Sequence, residues 1–306
     1  MSTWQPDVNP SSSLLTIFAV AKAFRGLDDV RQRNAVASWA RVADAVILFG
    51  DDPGVADAAH DLGVLHRPGV ECNGYGTPLL HDVFATAQAE ASTSLVCYLN
   101  ADIVVTADLR TGAAAVAQQR RQFLLVARRR NVDVTEPLPF QREDVDRWLL
   151  DLADHGQLDG KAAIDMFLFP RGLYEAVPPF AVGRPAWDNW MIRHARERGI
   201  TIIDATHDVP LIHQDPGLGV TGERSVRWTG PEAQRNRELA GRVVFTIEDA
   251  THQLVAGRLR PLRSWEHARH RANQVVWSTP WLAILRRRLR SLAHRTGGKS
   301  AQARSD

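Results

Sequence analysis

The residues best suited to chemistry in this chain are carboxylates and amides that follow short apolar runs. Asp51 and Asp52 follow Ala45–Phe49, Asn100 and Asp102 follow Leu95–Leu99, and Asp204 follows Thr201–Ile203. If those runs are strands of an open α/β sheet, these residues lie at the carboxyl ends, where ligands bind. Carboxylate and amide oxygens suit a hard Mg²⁺ or Mn²⁺ ion that also holds phosphate. The competing reading is structural: Asx turns and helix caps use the same residues, and Asn100 and Asp102 precede a helix expected near Thr106.

A second group surrounds Asp188, which is flanked by Trp187 and Trp190. Two indoles offer a platform for sugar stacking and a partial shield that would raise the carboxyl pKa. The same Asp also reads as the N-cap of a helix spanning Trp187–Arg198. Asp165 and Arg171 flank a Phe-Leu-Phe-Pro run, placed either to hold a ligand or to pair with each other. Arg128–Arg130 follow a strand and reach phosphate or solvent equally well. His267 and His270 form HxxH with Glu266 as the one adjacent acid and no thiol nearby, which favours a solvated helical face over zinc.

The elements that must position these residues alternate. Strands are expected at Leu14–Ala21, Ala45–Phe49, Val64–Arg67 and Leu95–Leu99, and helices at Leu27–Val42 and Val55–Leu62. A further helix is expected to open at Thr77-Pro78 and run through Ala89, with Thr77 as N-cap and Pro78 at the first helical position. Asn73-Gly74-Tyr75-Gly76 makes a turn-rich approach to it. The second half is less regular, with strands at Phe123–Ala127, Met166–Phe169 and Thr201–Ile203 and helices at Arg142–Ala153 and Trp187–Arg198. Such alternation predicts a doubly wound, mostly parallel α/β sheet. One continuous domain over residues 1–227 is expected, followed by a helical C-terminal extension over 228–306.

Three segments together resemble a known family. The Tyr-Leu-Asn-Ala-Asp-Ile-Val-Val stretch that includes Asn100 and Asp102 looks like the DxD region of GT-A fold, nucleotide-diphospho-sugar glycosyltransferases, with Asn100 at the first Asp position. The segment from Ile164 to Ile192, with its AWDNW core, resembles the acceptor side of family-2-like members and the Trp-Gly-x-Glu/Asp motif of galactosyl- and GalNAc-transferases. DVPLIHQD places His213 where many such enzymes carry a late metal-binding His. The resemblance covers about residues 14–214, with a donor half at about 14–106 and an acceptor half at about 120–215. It implies a Rossmann-like GT-A fold and transfer of a hexosyl group from a UDP- or GDP-sugar to a glycan, lipid-linked or small-molecule acceptor, as in bacterial polysaccharide biosynthesis.

By that resemblance Asp102 and His213 would bind Mn²⁺ or Mg²⁺. Ala21, Lys22, Asp51, Thr77, Asn100 and Asp102 would line the donor. Asp165, Arg171, Trp187 and Trp190 would line the acceptor, and Asp188 would be the base. Asn100 also admits the alternative of a non-catalytic nucleotide-sugar or glycan-binding module attached to a membrane complex.

Composition narrows the classes. The 306 residues are 44% hydrophobic, enough for a sizeable core, and no apolar run nears the roughly 20 residues of a membrane span. Two cysteines, Cys72 and Cys97, without metal spacing fit a reducing, cytoplasmic setting. Net charge is +2, but the stretch from Trp281 onward carries most of the positive excess and leaves the body at about −4. That argues against a nucleic-acid-binding face. Trp281, Leu282, Leu285, Leu289 and Leu292 recur at helical spacing opposite Arg286, Arg287, Arg288 and Arg290. This basic amphipathic helix is suited either to peripheral contact with an anionic membrane or to packing on the domain.

Overall fold

The computed structural model describes residues 13–214, 227–241, 244–263 and Arg269. The HxxH pair and the amphipathic stretch after Trp281 lie outside the described residues.

The first half follows the expected order closely: β1 (Leu15–Val20), α1 (Gly26–Val42), β2 (Ala45–Phe49), α2 (Val55–Asp61), β3 (Leu65–Arg67), α3 (Leu80–Glu90) and β4 (Leu95–Leu99). Then come β5 (Ile103–Val105), α4 (Asp108–Gln119), β6 (Phe123–Val132), α5 (Val145–His155), β7 (Gln157–Leu158) and β8 (Ile164–Pro170). The described chain continues with α6 (Trp187–Glu197), β9 (Thr201–Asp204), β10 (Leu211–Gln214), α7 (Pro231–Ala240), a 3-10 turn at Ile247–Asp249, β11 (His252–Val255) and β12 (Arg258–Pro261).

The main sheet runs β12-β11-β9-β6-β8-β4-β1-β2-β3. It is mostly parallel, with β8 reversed between β4 and β6 and β12 reversed at one edge. Strand order changes direction at β1, which pairs in parallel with both β2 and β4. That is a topological switch point. The sheet is buried on both faces, which is why its strands read as continuous apolar runs. Period-two alternation sends Leu15, Ile17, Leu95, Cys97 and Leu99 to one core with α1 and α4. Phe18, Val96 and Tyr98 go to a second core with α3 and α6. Gly112 lets α4 sit close to the chain beyond β9, since a Cβ there would come within 2.9 Å of the Val209 side chain.

Two expectations fail for identifiable reasons. No helix opens at Thr77: Pro78 bridges to Cys72, α3 starts only at Leu80, and the Asn73 side chain accepts the Thr77 amide at 3.1 Å. An Asx-type turn has taken the amides a helix start would have freed. The chain beyond Trp228 is not wholly helical either. After α7, β11 pairs with β9 in parallel and extends the main sheet, so the core does not end at residue 227.

β6 is the element that builds the cleft. Its first half, Phe123–Ala127, lies buried in the main sheet. Pairing with β8 then slips between Ala127 and Arg128, and Asp165 is left without a partner in the ladder. The second half of β6 pairs instead with β10 and β7. Such a bulge re-aims the strand, and here it carries Arg129 and Asn131 out over the carboxyl ends of the sheet.

Candidate active site

A cleft of about 790 Å³ opens beside the β1 switch point, within the size range of ligand sites. Lys22, Arg31, Asn100, Asp165, Trp187 and Asp188 are among its lining residues.

Local pairing positions Asp102 and His213. Antiparallel pairing of β5 with β10 sets Ile103 opposite His213, so the preceding Asp102 lies alongside it, with Oδ2 3.6 Å from His213 Nε2. Burial works against ionisation of Asp102, but the hydrogen bond and charge of His213, with Lys22 and Arg129 further off, hold it well below the usual carboxylate range.

The tautomer of His213 follows from its neighbours. Asp159 accepts from Asn131 Nδ2 at 3.2 Å, which turns Asn131 Oδ1 toward His213 Nδ1, 2.9 Å away. A carboxylate only accepts, so the amide orientation is determined and Nδ1 must donate. Nε2 is then the nitrogen that faces Asp102 Oδ2. It can donate to that carboxylate when it carries a proton, or offer a lone pair to a cation shared with the carboxylate when it does not.

Among the described residues no group of three or more His, Cys, Asp or Glu converges on one point. One carboxylate and one imidazole nevertheless fit an ion completed by substrate phosphate, since Mg²⁺ commonly takes only one or two protein ligands at such sites.

Asn100 has a specific task. Its Nδ2 donates to Asp165 Oδ1, while Arg129 Nη1 donates to Asp165 Oδ2 at 2.7 Å. An Asp at position 100 would set a second anion against Asp165, whose pKa burial already raises, with Asp102 adding to the effect while Arg129 opposes it. Asp165 is thus taken up by Asn100 and Arg129. It neither pairs with Arg171 nor remains free for an acceptor.

Asp188 is the exception among these carboxylates. Its Oδ1 is enclosed and has no hydrogen-bond partner. Burial pushes its pKa up to about 6, while the backbone amides of Asn189, Asp188 and Ala186 pull the other way and Asp165 adds to the rise. It is not the cap of α6, because Ala186 takes that position in a left-handed conformation with φ 85°. A non-Gly residue there is strained, and it aims the first turn of the helix into the cleft. Trp187 anchors that turn edge-on against Tyr98, with ring centroids 5.1 Å apart, a contact typically worth about 0.5–1.5 kcal/mol.

The other expected residues lie elsewhere. Ala21 is buried in the core and donates its amide to the Phe49 carbonyl. Asp51 accepts the Gly69 amide with both oxygens, at 3.0 and 2.9 Å, and does not line the cleft. Thr77 belongs to the Asn73 turn and helps to hold Glu232. Arg171 donates to the Ala91 carbonyl at 2.8 Å, at the opposite end of β4 from the cleft. Trp190 stacks on His194 with centroids 4.6 Å apart and packs on the core.

Three buried amides and one cation escaped the sequence reading. Gln32 Oε1 accepts the Lys22 amide at 2.7 Å and its Nε2 donates to the Lys22 carbonyl at 3.1 Å, which holds the loop after β1. Gln214 Nε2 donates to the carbonyls of Arg31 and Asp102 at 2.8 and 3.0 Å, and Asn34 donates to Gln214 Oε1 at 2.9 Å. The available signal was Gln32 and Asn34 among the buried positions of α1, beside Ala35 and Trp39. The cation is Arg31, whose Nε and Nη2 are enclosed without a partner.

No protein-family pattern matches the chain. No curated protein matches it either. Among solved structures, TarS 1-349 from S. aureus is similar at 10% identity and TM-score 0.38, over 66% of this chain and 58% of that one. The same protein in complex with UDP-GlcNAc is similar at 12% identity and TM-score 0.29, over 41% and 37%. A mycobacterial protein is similar at 12% identity and TM-score 0.40, over 66% and 65%. The chain spans less than two thirds of the length of each of these structures.

Proposed function

We propose that this chain is a glycosyltransferase of the GT-A type that moves a sugar from a UDP- or GDP-sugar to a hydroxyl of a glycan, lipid-linked or small-molecule acceptor. The observation that carries the reading is Asp188: an enclosed carboxylate with one unpartnered oxygen and a pKa near 6, lining a cleft at the switch point. A base of that pKa is ionised at neutral pH and well matched to accept a proton.

Asp188 takes the proton of the acceptor hydroxyl as its oxygen bonds to the anomeric carbon and the bond to the diphosphate breaks. Trp187, buried against Tyr98 and Phe167 yet lining the cleft, would border the acceptor ring beside that oxygen. Lys22, on the loop after β1, faces the leaving diphosphate. Asp102 and His213 would hold Mn²⁺ or Mg²⁺, which supplies charge neutralisation at the leaving group. Asn100, the sequence argument for a non-catalytic module, has a role of its own in orienting Asp165.

The test is thermal melting with UDP, GDP and UDP-GlcNAc, with and without Mn²⁺, followed by donor hydrolysis. A ligand that binds the native state raises the melting temperature. Wild type should show a Mn²⁺-dependent rise with at least one nucleotide, and Asp102→Ala should lose that part while keeping its fold. Equal Mn²⁺-dependent affinity in Asp102→Ala would overturn the metal assignment. No response to any donor nucleotide would overturn the reading as a whole.

A further inference from the structure

We infer that Arg31 is the diphosphate clamp of the cleft, its Nε–Nη2 edge receiving two oxygens of one phosphate group. This rests on the donor reading above but on a different observation. Arg31 lines the cleft, and its Nε and Nη2 are enclosed with no hydrogen-bond partner. A guanidinium cannot shed its proton to escape the cost of burial, so its natural partner is an anion supplied from outside the chain.

The orphan pair is chemically specific. Nε–H and Nη2–H lie on one edge of the guanidinium and form the fork that matches two oxygens of a phosphate or carboxylate. Elsewhere in this chain the same edge is used. Arg142 grips Asp144 through Nε and Nη2 at 2.8 and 2.9 Å, and Arg184 turns the same two atoms on Glu232. Other cations along the cleft are committed to carboxylates: Arg129 is shared between Asp159 and Asp165, Lys161 meets Glu248 and Arg184 meets Glu232, while Lys22 is half-exposed and only 4.0 Å from Asp28. Arg31 has no such carboxylate.

Its position favours the diphosphate over an acidic group of the acceptor. Gln214 ties the Arg31 carbonyl and the Asp102 carbonyl to one Nε2, so the base of the Arg31 side chain is pinned beside the Asp102–His213 pair. Gln32, one residue on, holds the Lys22 loop. Arg31 therefore belongs to the wall that carries Lys22 and is backed by Asp102.

The experiment is calorimetric titration of the full chain and of Arg31→Met and Arg31→Lys with inorganic pyrophosphate, UDP, uridine and glucuronate, with melting of each protein alone. Arg31→Met should weaken pyrophosphate and UDP by roughly 10–100-fold, as loss of hydrogen bonds to a charged group does. Uridine should be unaffected, and Arg31→Lys should recover only part because it lacks the fork. Without ligand, Arg31→Met should melt at or above wild type, since two enclosed nitrogens without partners are removed. Diphosphate affinity within twofold of wild type, a clear fall in the unliganded melting temperature, or Arg31-dependent binding of glucuronate alone would each overturn the clamp. Arg31-dependent pyrophosphate binding without any added affinity for UDP, or for GDP titrated alongside, would keep the clamp and remove the nucleotide-sugar reading. Normal UDP binding in Arg31→Met would do the reverse.

Discussion

The two ends of the sheet treat polar groups in opposite ways. At the amino ends strong donors and acceptors find partners within the fold. Asp44 accepts the amides of Leu14 and Leu15 and pairs with Arg110, Thr16 and Thr93 share a hydrogen bond at 2.8 Å, and Arg171 donates to Ala91. At the carboxyl ends Asp188 Oδ1 and two nitrogens of Arg31 are enclosed and unanswered. Buried polar groups without partners are uncommon in folded proteins and cost stability. That a base-like carboxylate and a cation share this condition in one cleft marks it as built for a ligand rather than for the fold alone.

The largest way to break this contrast is Asp188→Asn. Turnover should fall by about 10²–10⁴-fold with little change in donor affinity, as steady-state kinetics against UDP titration would show. In wild type the rate should rise with pH through about 6 and level off above it. Stability should move the other way. The folded pKa of Asp188 lies above its ordinary 3.8, so its contribution is full below about 3.8 and is lost as pH rises through about 6. Asp188→Asn should remove that dependence and melt at or above wild type at pH 8. A lowered melting temperature with unchanged turnover would make Asp188 merely a helix-start residue.

A smaller effect is expected at Asn131, which does not line the cleft and acts through His213. Asn131→Ala should weaken Mn²⁺ by roughly 10–100-fold, the usual range for a partner that orients a metal-binding His. Free Mn²⁺ measured by electron paramagnetic resonance would report this without reference to activity. Unchanged affinity would mean that the Asp159–Asn131–His213 chain only stiffens β6 and β10.

The smallest effect belongs to the amino end. Arg171→Met should cost about 1 kcal/mol at most, the loss of one ordinary hydrogen bond, and leave donor affinity unchanged. Calorimetric melting and UDP titration would measure both. A loss of donor affinity there would erase the difference between the two ends.

Much of the sheet was legible from the chain alone. β2 and β4 fall where their apolar runs predict, because strands buried on both faces must be continuously apolar and are bounded by the turns that follow them. The strand-end placement of Asn100 and Asp102 was legible for the same reason. So was Asp188 as an unusual carboxylate, since its flanking tryptophans are local. Other residues with an equally plausible local reading fared differently: Arg171, Trp190, Asp51 and Thr77 do not line the cleft.

Local composition thus determined the α/β class, the alternation of elements and the short list of carboxylates. Tertiary structure alone decided which of them work together. The reversal of β8, the slip between Ala127 and Arg128, and the pairing of β10 with both β5 and β6 bring Arg31 and Asp188 to one cleft, with Asp102, Asn131 and His213 next to its wall rather than lining it. Those contacts join positions far apart in the chain, and no periodicity carries them. The orphan state of Arg31 and of Asp188 is likewise a property of surroundings. A hydrogen-bond partner is present or absent only once distant strands have closed around the side chain, and burial that shifts a pKa exists only in the folded packing.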